Sequence, residues 1–300
     1  MRRFFAVLIM FVASQSGISR ADDNLQAQLR TLTAHYAGNV ALYAVDMKTG
    51  REVGLNSDVP VPTASTIKLA ILFEALKAIE AGDARWDDAL MLTPENQVEG
   101  SGVLNLFDTP LVVTFKDALT MMIVQSDNTA TNMAIDHLGL ARIDERIKWL
   151  GLNDTWLYKK VFKPPTGDVP ADQPKFGLGK TTGREMGELM RRFANCNLNE
   201  PGDTAPPTPE QQKLCDTALA MLKNQSDRGG IPRYLGSLTI ANKTGALDAS
   251  RNDVAIVYAA HGPIIISAFT YNNKDQSWTV DNSPQILIAK MAKTIVDAWK

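Results

Sequence analysis

Residues 237–271 read SLTIANKTGALDASRNDVAIVYAAHGPIIISAFTY. Three β-branched runs lie in this stretch, at 237–243, 253–260 and 263–271, with turn signals between them. Such runs predict three sequential antiparallel strands. A helix from about Pro284 closes the chain. Far upstream, residues 39–46 (NVALYAVD) read as another strand, and Met47-Lys48-Thr49-Gly50 as a turn into a further strand near 51–56. Pro60 and Pro62 mark a loop. From Ser65 to about Ala81 the chain is apolar on nearly every face and Gly82 follows, the pattern of a buried helix with a glycine C-cap. Residues 115–149 predict helices broken near Ser126 and Gly139. Residues 182–194 predict another, opened by a capping box from Thr182 to Glu185. One more runs from Pro209 to Lys223. Strands, then helices, then strands and a helix make an α+β fold. One antiparallel sheet is completed by both ends of the chain, and an all-helical lobe is inserted between. The expected single domain spans residues 22–300, with a sheet lobe of about 22–60 plus 225–300 and a helical lobe of about 61–224. A cleft between lobes is the natural place for a site.

The first residues read as an export signal, residues 1–21. Arg2 and Arg3 precede the apolar run Phe4 to Ala13, and Ser19-Arg20-Ala21 ends in a small-x-small pattern. The run falls short of the roughly 20 apolar residues of a spanning helix. The mature chain is expected to begin at Asp22 and to be periplasmic or secreted; an uncleaved anchor is the other reading. No later stretch is long and apolar enough to span, so no stable membrane association is expected. The whole chain carries a formal charge of −2, and without its arginine-bearing signal about −5. A mildly acidic protein lacks the basic footprint of a nucleic-acid or anionic-lipid binder. With 45% hydrophobic residues it can build a core.

Cys196 and Cys215 enclose a turn-rich segment with several prolines. In an oxidising compartment a disulfide there would contribute about 3 kcal/mol; two free buried thiols are the alternative. His35, His137 and His261 lie far apart and share no zinc-type spacing with the cysteines, so no metal or other cofactor is expected.

Three short motifs occur in order: Ser65-Thr66-Ile67-Lys68, Ser126-Asp127-Asn128 and Lys243-Thr244-Gly245. Ser65 and Lys68 stand one turn apart on one helix face, with Ser65 at the positive N-terminal end. A serine hydroxyl needs a neighbour to take its proton. Lys68 can do so if burial and the Lys243 cation lower its pKa. Ser126 can relay a proton to a leaving nitrogen, and Asn128 can donate to a substrate amide carbonyl. Lys243 and Thr244 can hold a carboxylate. The strand bearing Gly245 can offer the N–H of Ala246 to an oxyanion. A lone Ser-x-x-Lys is expected about once in any chain of this length, and Lys-Thr-Gly in fewer than about one chain in ten. The signal is therefore the ordered set. The extra Lys48-Thr49-Gly50 copy reads as a hairpin turn.

The three motifs together resemble the class A β-lactamases and penicillin-binding proteins. Gly100-Ser101-Gly102-Val103-Leu104, the region from Asp127 to Gly139, and Arg251-Asn252-Asp253 are similar to class A as well. The resemblance covers nearly the whole mature chain. It implies a five-stranded antiparallel sheet flanked by helices, and acyl transfer from a β-lactam ring to Ser65 with the Ser65 and Ala246 amides as oxyanion hole. It also implies a monomer. Arg251 is similar in placement to a carboxylate-recognising cation of some members; a surface salt bridge is its other reading.

One departure from the family stands out. Class A enzymes carry a Glu-x-x-Leu-Asn motif whose glutamate activates the deacylating water. Here the stretch is Lys159-Lys160-Val161-Phe162-Lys163-Pro164-Pro165-Thr166-Gly167-Asp168-Val169-Pro170-Ala171-Asp172, with no glutamate and no Leu-Asn pair. Only Asp168 and Asp172 offer a carboxylate, each one methylene shorter. Acylation is expected to be intact and deacylation impaired, a general base being worth about 10²–10⁴-fold. Three readings follow. The chain hydrolyses β-lactams, or it acts on peptidoglycan-like stem peptides or other amides and esters as a D,D-peptidase does, or it is a penicillin-binding or sensing module that stays acylated. Pocket width rests on loops near Asn105, Phe107 and 247–250.

Overall fold

The three C-terminal runs pair as an antiparallel meander, and the N-terminal strands join it. The computed structural model describes residues 20–300, with side chains from Asp23 onward. The expected export signal and its cleavage point lie outside the residues so described. In chain order the elements begin with α1 (Arg20–Thr33), β1 (Asn39–Asp46), β2 (Glu52–Leu55), β3 (Val61–Pro62), a 3-10 turn at Ala64–Ile67, α2 (Lys68–Ala81) and β4 (Ala89–Leu92). A 3-10 turn at Leu104–Leu106, β5 (Leu111–Thr114), α3 (Phe115–Val124), α4 (Asn128–Leu138), α5 (Leu140–Trp149) and β6 (Trp156–Leu157) come next. Then come α6 (Gln173–Phe176), β7 (Gly179–Thr181), α7 (Gly183–Ala194) and α8 (Pro209–Lys223). The chain ends with a 3-10 turn at Ile231–Tyr234, β8 (Thr239–Leu247), β9 (Ser250–Ala259), β10 (Gly262–Tyr271) and α9 (Ser283–Ala298).

The main sheet has five strands in the order β2-β1-β10-β9-β8. It is antiparallel throughout, with Asn39 opposite Tyr271, Gly262 opposite Ala259 and Leu247 opposite Ser250. Alternation along the strands divides the core in two. Ala41, Tyr43, Val45, Val254, Ile256 and Phe269 face the helical lobe. Leu42, Ala44, Ala255, Val257, Ile264 and Ile266 face α1 and α9, sealed by the buried Trp299. Both faces are covered, which is why these strands read as nearly unbroken apolar runs.

α2 is buried on all sides, as its sequence requires. The one acid in its middle, Glu74, is fully buried and accepts from Arg142 and Arg146, each at 2.6 Å. Gly82 caps the helix in the left-handed region at φ 79°, the conformation that favours glycine.

The structure departs from the sequence reading at several places: β9 begins at Ser250 rather than 253, and a 3-10 turn at Ala64–Ile67 precedes α2. β8 does not end at Lys243 but runs on through the motif to Leu247, leaving Asp248-Ala249 as a two-residue turn. The capping box of α7 is only half made: Thr182 accepts from the Glu185 N–H, but the Glu185 carboxylate accepts from Asp154 N and Thr155 Oγ1 instead. A complete capping box opens α8, formed by Thr208 and Gln211. Cys196 and Cys215 are joined in a disulfide between the end of α7 and the middle of α8. Among the described residues no helix is long and apolar enough to cross a membrane.

Candidate active site

The three motifs meet at the edge of β8. Ala64 has φ 45°, and the 3-10 turn it begins leads directly into α2. This places Ser65, half-buried, one turn before Lys68. Ser126 occupies the break between α3 and α4 with φ 55°. The break is held by Asp127, whose Oδ1 accepts from Ala130 N at 2.8 Å and caps α4. Its Oδ2 accepts from Val103 N at 2.7 Å and Leu104 N at 2.9 Å. Gly102 lies so close that a Cβ there would stand 2.2 Å from Asp127 Oδ2. The central acid of the motif thus fixes the 101–104 loop as well as its own helix.

Two fully buried lysines converge on Ser126. Lys68 Nζ donates to Ser126 O at 2.7 Å, to Ser126 Oγ at 3.2 Å and to Asn128 Oδ1 at 3.1 Å. Lys243 Nζ donates to the same Oγ at 3.0 Å and to Thr244 O at 2.7 Å. Burial pushes the Lys68 pKa well down, and the positive charge of Lys243 adds to the effect. Burial lowers Lys243 to about 7, with Asp253 and Asp227 working against the fall.

β8 reaches the turn that carries Ser65 at Gly245, where a Cβ would lie 2.9 Å from Ser65 N and from Thr63 O. Only glycine allows that approach. Behind it, Asn252 Nδ2 donates to Pro62 O at 2.9 Å and Thr63 O at 3.1 Å, tying the turn to the sheet. Asn252 entered the sequence reading only as part of a family-like run, because its partners are backbone atoms on a distant segment.

The other expected residues divide. Thr244 and Ala246 lie on β8 beside the cluster. Arg251 sits on β9 opposite Ala246. It is buried, donates to the carbonyls of Leu247, Ser250 and Ser277, and stacks 4.3 Å from the Trp278 ring. It is therefore no surface salt bridge; its charge serves the hairpin and the 275–282 loop. An exposed cation that sequence reasoning passed over, Arg228, lies along β8, its Nη1 3.5 Å from Ile240 O and Asn242 Oδ1. Asp168 is exposed. Asp172 accepts from Tyr158 Oη and Lys180 Nζ, each at 2.8 Å, and the Lys180 hydrogen bond holds its pKa down. Both oxygens of Asp172 are thereby engaged away from Lys68 and Lys243.

Two apolar residues of that stretch, Val161 and Phe162, lie against the elements that carry Asn128 and Gly100. Asn132, one turn beyond Asn128 on α4, clamps Val161 through both backbone groups, accepting from its N–H at 2.8 Å and donating to its carbonyl at 3.0 Å. The Phe162 ring follows against Gly100. His137 pairs with Asp88 at 3.0 Å, and His261 lies 3.5 Å from Asp46, both away from the cluster. The Lys48-Thr49-Gly50 copy is a hairpin turn in which the N–H groups of Lys48 and Thr49 and the Thr49 hydroxyl are gathered by Asp46.

A five-stranded antiparallel sheet with an inserted helical lobe, and Ser65, Lys68, Ser126 and Lys243 in the cleft, defines the fold class of class A β-lactamases and penicillin-binding proteins. The chain belongs to the β-lactamase enzyme family, whose profile matches residues 24–299. Among curated relatives it is similar to Beta-lactamase 1 of Streptomyces cacaoi, 22% identical over 93% of this chain and 85% of that one. It is likewise similar to Beta-lactamase FAR-1 of Nocardia farcinica, 24% identical over 91% and 82%. Among solved structures it resembles a β-lactamase from Sphaerobacter thermophilus, at TM-score 0.76 and 24% identity over 92% and 97%. It also resembles a point mutant of PBP-A, described as an acyl-enzyme complex with penicillin G, at TM-score 0.77 and 24% identity over 92% and 96%.

Proposed function

We propose that the chain opens the β-lactam amide by acyl transfer to Ser65 and releases the acyl group slowly. The observation that carries this reading is the hydrogen-bonded chain Lys68–Ser126–Lys243 beside Ser65. Lys68, whose pKa burial lowers, takes the Ser65 proton in its neutral form as the hydroxyl attacks the ring carbonyl. The N–H groups of Ser65 and Ala246 receive the oxyanion. Ser126 passes its proton to the ring nitrogen as the C–N bond breaks and is reprotonated by Lys68 along the hydrogen bond between them, which returns Lys68 to its neutral form while Lys243 holds the hydroxyl. Lys243 and Thr244 bind the substrate carboxylate, with Arg228 supplying a further cation along the strand. Asn128 Nδ2 donates to the amide carbonyl of the acyl side chain once its bond to Glu99 O gives way to substrate.

Slow release follows from the groups at Val161, Phe162, Asp168 and Asp172. Two are apolar, one is exposed, and the last has both oxygens engaged. Lys68 then serves as base for the deacylating water too. Relatives named as β-lactamases support hydrolysis. The apolar character of the stretch beside Asn132, where the family carries its glutamate, favours the second reading, a D,D-peptidase-like or penicillin-binding protein with a persistent adduct. The expected setting is periplasmic or secreted.

A chromogenic cephalosporin followed by absorbance and intact mass tests the proposal. A stoichiometric adduct with slow colour release, both lost in Ser65→Ala, is expected. Fast turnover would overturn the claim of slow release, and an adduct surviving Ser65→Ala would overturn the nucleophile.

A further inference from the structure

Phe162 stands in an unusual position for an aromatic residue. Its φ is 54°, in a region that bulky side chains seldom adopt and that persists where surrounding structure enforces it. The enforcing contact is the Asn132 clamp on the preceding residue, whose two hydrogen bonds are buried. The ring is therefore mounted on α4, although it belongs to a loop, and it remains 59% exposed.

Where it is mounted matters. Gly100 has φ 88°, and a Cβ built on it would lie 2.8 Å from Asn128 Nδ2 and 3.0 Å from Phe162 Cε2. The Asn128 amide and the edge of the phenyl ring meet over the same glycine. The segment that follows, fixed by Asp127, carries three more exposed apolar side chains, Val103, Leu106 and Phe107. On β8, Lys243 is fully buried and its Nζ donates to Ser126 Oγ and Thr244 O. Asn128 thus stands between a buried cation, Lys68 Nζ on its Oδ1, and an apolar ring, Phe162, across Gly100 from its Nδ2.

We infer that Phe162 is a specificity-determining residue that selects acyl donors whose substituent beside the reacting amide is apolar, an aryl or alkyl group lying on the ring while Asn128 holds the amide carbonyl. This selection rests on acyl transfer at Ser65 as proposed above.

The test compares second-order acylation rates, read by intact mass, for benzylpenicillin and 6-aminopenicillanic acid. The two share one nucleus and differ in the acyl substituent. The wild-type protein is expected to prefer benzylpenicillin. Phe162→Ala should lower the ratio of the two rates about tenfold, the scale of discrimination an apolar contact provides. Phe162→Leu, which keeps an apolar surface, should restore most of it. A ratio unchanged in Phe162→Ala overturns the assignment of Phe162 and leaves acyl transfer standing. A wild-type chain that forms no adduct with either compound overturns both.

Discussion

At the scale of single residues, the site's pH behaviour follows from its two lysines. In the proposed acyl transfer, attack requires neutral Lys68, whose pKa burial lowers, so that the neutral fraction grows as pH rises and gives the acidic limb. Carboxylate binding and proton relay require charged Lys243, and that charge is lost as pH rises through about 7, giving the basic limb. Acylation rate against pH should therefore be bell-shaped, and Lys243→Arg, charged at every accessible pH, should remove the basic limb while lowering the maximum. A basic limb that survives in Lys243→Arg would assign it elsewhere. Deacylation depends on a neighbouring residue in the same way. Val161 is the position that Asn132 ties to the site helix, so Val161→Glu places a carboxylate where the wild-type stretch is apolar. Turnover of the adduct is expected to rise tenfold or more, a general base being worth about 10²–10⁴-fold when ideally placed, and intact mass against time would read it. That Ser126, Asn128, Lys68 and Lys243 come together was legible in the sequence as ordered motifs, with Ser65 one turn before Lys68. The engagement of Arg251 by carbonyls, the clamp on Val161 and the place of Arg228 were not, since each depends on where a loop's backbone turns.

At the scale of elements, periodicity and caps located most of the helices. α8 begins and ends at the expected Pro209 and Lys223, with Thr208 as cap and proline in its first turn. α7 departs from its local pattern: Thr-x-x-Glu fits a capping box, yet the Glu185 carboxylate finds two donors across the gap, at Asp154 and Thr155, and leaves its own helix. β8 exceeded its expected length because Gly245 reads locally as a break, whereas its bareness is what admits Ser65 to the strand. The segment between α7 and α8 is held at both ends by the Cys196–Cys215 bond, which spans 19 residues of sequence. Closing such a loop is worth about 3 kcal/mol. Cys196→Ala with Cys215→Ala should lower the melting temperature by roughly 5–10 °C, measured by calorimetry. An unchanged Tm would mean that the loop is held by its other contacts, such as Arg192 donating to Asn199 O.

At the scale of the whole molecule, the α+β class was legible from element order alone, because strands at both ends and helices between leave few arrangements that cover both faces of one sheet. The division of the core was not legible. The same strands feed two separate clusters, one under the helical lobe and one under α1 and α9, and only the first borders the site. That closure by both ends has a consequence in time. Ser65 leaves the ribosome with the first part of the chain, while Lys243 and the Gly245 strand that must press against it come after the entire helical lobe. A growing chain carries Ser65 and Lys68 before it carries Lys243. In the proposed reaction an acylated molecule would therefore be one whose synthesis had passed the strands that end at Tyr271.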